Sequence, residues 1–277
     1  MTTTVNRAPV TVAELVAAID EQRRGTATEP QPASEFVACA RAVPPNASTL
    51  LVLGAHPGAG ASSVAVAIAD ALAQREKGAS HGLVRLVDAA PQETSGLICA
   101  ADRELGIDQN GWRIGRRGLV EVHRPGGTLS QPHDLPSLAA FDSGWLVVDA
   151  GWPIRDLLVN PSPVVSLLTS ASLVLVCRST VPGVRRAEIA LSDLPGRPVV
   201  VAVGARRWPG QVRASFGPLL REAYDAGRVA LIPADRRLEV NGIEAPPLPK
   251  AFAAAVTRLL DLIWPVTQVV RAHRTKE

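Results

Sequence analysis

Residues 54–63, GAHPGAGASS, follow the apolar run TLLVL at 49–53 and lead into a helical pattern. That order suits a phosphate-binding loop, which turns backbone N–H groups inward in front of a helix N-terminus. Gly58 and Gly60 permit a close approach, and Ser62 stands where a hydroxyl could bind Mg²⁺ and open the helix. The full pattern G-x-x-x-x-G-K-[ST] would align Ala55 with its first glycine and Ala61 with its lysine. Both positions fail, so the loop alone fits a phosphate site or a bare strand-to-helix turn.

Acidic residues mark the ends of two other apolar runs. VDAAPQ carries Asp88, Pro91 and Gln92, and VVDAG ends in Asp149. An aspartate at such a position can hold a magnesium-bound water, or it can simply cap a turn or helix. After the last apolar run comes IPAD, with Pro233 and Asp235. The 5 histidines lack metal-ligand spacing, and the 3 cysteines (Cys39, Cys99, Cys177) are far apart with no C-x-x-C. Mg²⁺ is therefore the one metal considered, and reduced structural thiols are expected.

Strands would have to position these residues. Apolar β-rich runs occur at 49–53, 83–87, 119–122, 145–149, 173–177, 198–203 and 229–232, most of them continuous, as strands buried on both faces require. Helical patterns lie at 62–76, 183–193, 211–226 and 249–263. Strand alternating with helix predicts an α/β fold: a mostly parallel sheet of about seven strands with helices on both faces. Ligands of such sheets bind at the carboxyl ends of the strands. The Gly/Pro-rich stretches 91–118 and 124–137 are expected to be long loops on one rim.

Three segments follow from this reading. Residues 1–46 hold a capped helix (Thr11-x-x-Glu14, with Val12, Leu15, Val16 and Ile19 as its stripe) and a flexible linker. Residues 47–264 form the α/β domain, and 265–277 form a basic tail. Phe252, Val256, Leu259, Leu260 and Ile263 have helical spacing and are expected to face the core. The start MTTTVNRAPV lacks a signal-peptide pattern, and no apolar run approaches the ~20 residues that span a bilayer. A cytoplasmic location without stable membrane insertion is expected. The net charge of +3 gives no general argument for nucleic acid, though WRIGRRG (112–118) and ARRWPG (205–210) are candidate basic patches.

Taken in order, these pieces resemble the MinD/ParA group of P-loop ATPases. That family's deviant loop, K-G-G-x-G-K-[ST]-[ST], is matched by His56-Pro57-Gly58-Ala59-Gly60-Ala61-Ser62-Ser63. Its switch I motif D-x-D-P-Q is matched by Asp88-Ala89-Ala90-Pro91-Gln92, and its second acidic segment by VVDAG around Asp149. Its I-P-x-D segment near the base pocket is matched by Ile232-Pro233-Ala234-Asp235, and CRSTVPGVRRAEIAL is similar to its proline-led helix. The similarity runs over about residues 48–264. It implies ATP or ADP with Mg²⁺ as ligands, held by residues 56 and 58–63 with Pro233 and Asp235. Ser62, Asp88 and Asp149 would serve the metal, and Asp88 is the candidate catalytic group.

The departures fall on the charged positions. The signature lysine is His56, the loop lysine is Ala61, and the second switch I aspartate is Ala90. The adenine-reading asparagine has Gly204 or Ala205 in its place, and Pro57 lacks an N–H. Two lost charge-assisted contacts remove roughly 3–6 kcal/mol of triphosphate binding. The resemblance thus implies a bacterial pseudo-ATPase that works by binding a protein partner, as an accessory to positioning, secretion or conjugative-transfer machinery. Nucleotide binding is expected to be weak or absent, and the homodimer of the family is left open. Two alternatives stand beside it: a working ParA-like ATPase with an atypical loop, and a non-specific DNA-binding partition module.

Overall fold

The computed structural model describes residues 48–77, 83–141, 143–244 and 246–264. The chain divides between Ala38 and Cys39, and every described residue lies in the second unit. The expected N-terminal helix and linker, and the basic tail, lie outside the described residues.

A 9-stranded sheet organises the described residues. Its strands are β1 (Ser48–Gly54), β2 (Val84–Asp88), β3 (Arg103–Ile107), β4 (Trp112–Arg117), β5 (Val120–Pro125), β6 (Trp145–Asp149), β7 (Ser172–Arg178), β8 (Val199–Gly204) and β9 (Val229–Pro233). They lie in the order β3-β4-β5-β2-β6-β1-β7-β8-β9. Pairing is parallel from β5 to β9, and only β4 runs against its two neighbours.

The helices are α1 (Ala61–Arg75), α2 (Ile154–Val159), α3 (Pro163–Ser170), α4 (Val181–Asp193), α5 (Gly210–Ala214), α6 (Pro218–Asp225), α7 (Arg236–Asn241) and α8 (Lys250–Ile263). They cover two faces. Leu50 and Val52 of β1 join a core with α1 and α8, whereas Leu51 and Leu53 join the core with α3, α4 and α6. Successive side chains of a strand point to opposite faces. A strand sandwiched between helices must therefore be apolar throughout, which is why the runs in the sequence are continuous. Phe252, Val256, Leu259 and Leu260 are buried, so α8 is a core helix.

The sequence reading needs three corrections. The sheet has two strands beyond the seven expected, because 103–107 and 112–117 are strands and not rim loops. Every residue of β3 is exposed, and β4 is interrupted by Gly115 and rich in arginine, so neither shows an apolar run. Second, the stretch 211–226 is two helices, not one, broken at Gly217-Pro218. The Glu188 carboxylate of α4 accepts from the N–H groups of Leu219 (2.8 Å) and Leu220 (2.9 Å) and so caps α6. Third, the short helices α2, α3 and α7 gave too few turns to show a period.

Candidate functional site

The carboxyl ends of β1, β2, β6, β7, β8 and β9 share one rim, and the candidate residues collect there. β1 ends at Gly54, the loop turns through 55–60, and α1 begins at Ala61. Gly58 (φ 73°) and Gly60 (φ 95°) sit in the left-handed region, where a side chain is strained. A Cβ on Gly60 would also come within 3.5 Å of Val203 at the end of β8. Two loop N–H groups are already used, Ala55 to the Val176 carbonyl (2.8 Å) and Ala59 to that of His56 (3.2 Å). Those of Ala61, Ser62 and Ser63 open the helix and meet no acceptor among the described residues. Such a helix start can take an anion.

His56 is folded back into its own protein. Its Nδ1 pairs with the Pro57 carbonyl at 2.8 Å, and its Nε2 accepts the Arg178 N–H at 3.3 Å. One neutral tautomer, with the proton on Nδ1, satisfies both bonds.

Asp88 and Asp149 are direct neighbours across the β2–β6 pairing. Both are buried, at 2% and 1% exposure. Asp88 is well supplied: Oδ1 accepts the Ala90 N–H at 3.0 Å, and Oδ2 accepts the Ser95 hydroxyl. Burial still outweighs these bonds and pushes its carboxyl up to about 6. Neither oxygen of Asp149 has a hydrogen-bond partner among the described residues. Burial first, and the neighbouring Asp88 second, push it up to about 7; the nearby Ser62 hydroxyl and Gly151 N–H soften the shift without completing a bond.

The loops after β2 and β6 are clamped together. Trp152 donates its indole N–H to the Ala89 carbonyl at 2.7 Å. Gly151 (φ 66°) lies so close to Ala90 that a Cβ would fall 2.3 Å from the Ala90 Cβ. Further along, Gly96 rests on Ser62: a Cβ there would be 2.7 Å from the Ser62 Oγ. The structure thus brings Ser62, Asp88 and Asp149 to one place and lays residues 90–96 against them. Ser95, Gly96, Gly151 and Trp152 were not singled out from the sequence, because a polar loop of small residues carries no periodic or motif signal.

The outlying candidates are engaged elsewhere. Asp235 caps α7, accepting the Arg237 N–H at 2.9 Å, and Pro233 pairs with Gly204 at the end of β9. Gly204 (φ 144°) passes close to Ser179, whose hydroxyl accepts the Ala205 N–H at 2.7 Å. Arg85 donates to the Ser143 carbonyl (2.7 Å) and Arg178 to Glu239 (2.7 Å). Arg206 and Arg207 are exposed on the loop after β8. WRIGRRG is only partly a free basic patch: Arg117 is buried against Asp70 (3.1 Å) and Arg116 pairs with Glu121 (3.2 Å), while Arg113 is exposed. Cys177 is buried and its thiol is pushed up to about 12, while Cys99 is exposed. No helix among the described residues is long and apolar enough to cross a membrane.

Sheet order, glycine loop and paired strand-end aspartates define the MinD/ParA-like P-loop fold. Among solved structures, an apo McdA from Cyanthece shares it at a TM-score of 0.50 and 12% identity, over 81% of this chain and 100% of that one. The Pyrococcus furiosus cell division ATPase MinD is similar at a TM-score of 0.47 and 18% identity, over 78% and 97%. A putative plasmid partition protein from Borrelia burgdorferi B31, bound to AMPPNP, is similar at 0.47 and 11%, over 78% and 98%. No protein-family model matches the chain, and no curated protein matches it.

Proposed function

We propose that this chain is a MinD/ParA-like protein that keeps a reduced phosphate loop, binds Mg-nucleotide weakly at best, does not turn it over efficiently, and acts through a protein partner. The observation that carries this reading is the absence of cations at the loop's two key positions. One is Ala61, and the other is His56, whose ring is bonded within the loop and to the Arg178 backbone. Among the described residues, no guanidinium makes a hydrogen bond into residues 55–63, and the two nearest by sequence role, Arg85 and Arg178, are spent on Ser143 and Glu239.

The residues fit the metal better than the triphosphate. The two buried, unpartnered oxygens of Asp149 are the kind of group that a hydrated cation relieves. Ser62, Asp88 and Asp149 would hold Mg²⁺, which would neutralise part of the phosphate charge. The helix start at 61–63, with Gly58 and Gly60, would hold the phosphates themselves. Nothing there replaces the charge of the lysines, and phosphoryl transfer depends on such charge. With turnover weakened, the reading assigns the chain a partner-binding role, accessory to positioning, secretion or conjugative-transfer machinery, as the resemblance implies. The working-ATPase reading draws support from the Asp88–Asp149 pair.

One experiment separates the two readings. The full chain is titrated with Mg-ATP by calorimetry and assayed for phosphate release, beside an Ala61→Lys variant. We expect little or no turnover by the wild type, and ATP binding tightened roughly ten- to hundredfold by the restored lysine. Steady wild-type turnover that Asp88→Ala abolishes would sink the reading.

A further inference from the structure

A cavity of about 310 Å³ opens on the other side of residues 90–96, between the end of β2 and the β3–β5 extension. Asp88, Ala90 and Ser95 form its shared wall with the phosphate-loop region, and no residue of 55–63 lines it. The opposite wall holds Arg113 of β4 and Arg124 of β5.

These two arginines stand directly opposite each other in the antiparallel pairing. Like charges in that register repel and destabilise a sheet. The protein compensates only half of the pair. Arg124 donates to Glu104 of β3 and to the Ile98 carbonyl (2.8 Å), yet its Nε is buried without a partner among the described residues. Arg113 is exposed and has no carboxylate or carbonyl partner among the described residues. The acids that line the cavity do not cancel it. Glu104 is taken by Arg124, and both oxygens of Asp88 are taken by Ala90 and Ser95.

Gln92 also lines the cavity, and the rest of the wall is apolar or open. Ile98 and Leu129 line the same cavity as the two arginines, and Gly127 leaves free space, with nothing within 4 Å of where its Cβ would be. We propose that this cavity is a ligand site separate from the phosphate loop, and that it takes a small organic anion whose phosphate or carboxylate head lies between Arg113 and Arg124. The apolar body of the ligand lies on Ile98 and Leu129. Arginine forks suit planar or tetrahedral oxyanions, and small-molecule sites combine apolar wall with a few convergent polar groups. The proposal does not need the phosphate loop to bind anything.

Phenyl phosphate and benzoate are the probes, titrated into the full chain by calorimetry. Expected is saturable binding of at least one of them, weakened roughly ten- to hundredfold by Arg113→Ala. The Arg113 side chain makes no hydrogen bond or ion pair among the described residues and faces a like charge, so the variant is expected to melt no lower than the wild type. Gly127→Leu, which fills the open space, should weaken binding as well. Preference for one probe identifies the head group. No saturable binding of either probe overturns the proposal, and so does phenyl phosphate binding that Arg113→Ala leaves unchanged, since the phosphate loop would then be holding it. A failure of nucleotide binding at the loop leaves both results readable.

Discussion

Two buried ionisable groups in this protein, Arg117 and Asp149, have opposite company. The Arg117 side chain is 0% exposed and Asp149 is 1% exposed. Arg117 spends its guanidinium on Asp70 of α1, at 3.1 Å from both Nε and Nη2, and on the carbonyls of Ala100 (3.1 Å) and Glu244. Among the described residues, Asp149 has no hydrogen-bond partner for either oxygen. The first arrangement is complete and ties the β3–β5 extension to α1. The second is incomplete, and an incomplete buried charge is a strain that folding alone does not explain. Burial raises the Asp70 carboxyl in spite of the guanidinium beside it, so even the satisfied pair is held against a desolvation cost.

The largest effect should come from breaking the complete arrangement. Arg117→Ala leaves Asp70 and two carbonyls without their donor, and breaking a buried pair of this kind costs roughly 3–5 kcal/mol. Urea unfolding near neutral pH measures it. A loss below about 1 kcal/mol would mean that Arg117 is no more structural than a surface arginine.

Removing the incomplete charge should have the opposite sign. Asp149 and Asp88 are raised in the folded state to about 7 and about 6 from 3.8. The folded protein holds their protons where the unfolded chain releases them. Their contribution to stability is therefore full below about pH 4 and is lost as pH rises to about 7. Asp149→Asn keeps the shape and removes that loss. It should stabilise the ligand-free protein by roughly 2–4 kcal/mol near pH 8, and by little near pH 4. Unfolding curves at the two pH values decide it, and equal stability of the two proteins at the higher pH would erase the contrast with Arg117.

The two groups were not equally legible in the sequence. Asp149 ends an apolar run, WLVVD, so both its strand and its place at the carboxyl rim could be read directly. The same holds for Ser62, Gly58 and Gly60, whose loop follows another such run. Arg117 sits in WRIGRR, which reads as a basic stretch, because burial of an arginine depends on Asp70 lying 47 residues away. Strands β3 and β4 were missed for the same reason: they carry charge and glycine, and what stabilises them is contact at long range. The clamp of Ala90 on Gly151 and of Gly96 on Ser62 was likewise invisible, since glycine at a close approach looks the same in sequence as glycine in a loose turn. Motif order revealed the centre of the sheet, whereas pairwise contacts built its edge.

The smallest effect would turn Asp88 partway into a second Asp149. Its Oδ2 accepts the Ser95 hydroxyl, and that hydroxyl oxygen also accepts the Leu97 N–H at 3.0 Å. Ser95→Ala removes both bonds, for a cost of about 1–2 kcal/mol. The two losses separate by pH. The Leu97 bond is neutral and its loss is felt at every pH. The Ser95 bond favours the carboxylate, so its loss raises Asp88 further above about 6, and the added destabilisation grows as pH rises through that value. The difference in unfolding free energy between variant and wild type should therefore be larger near pH 8 than near pH 5. A flat difference would show that the hydroxyl only shapes the turn at residues 95–97, and that burial alone keeps the two aspartates alike.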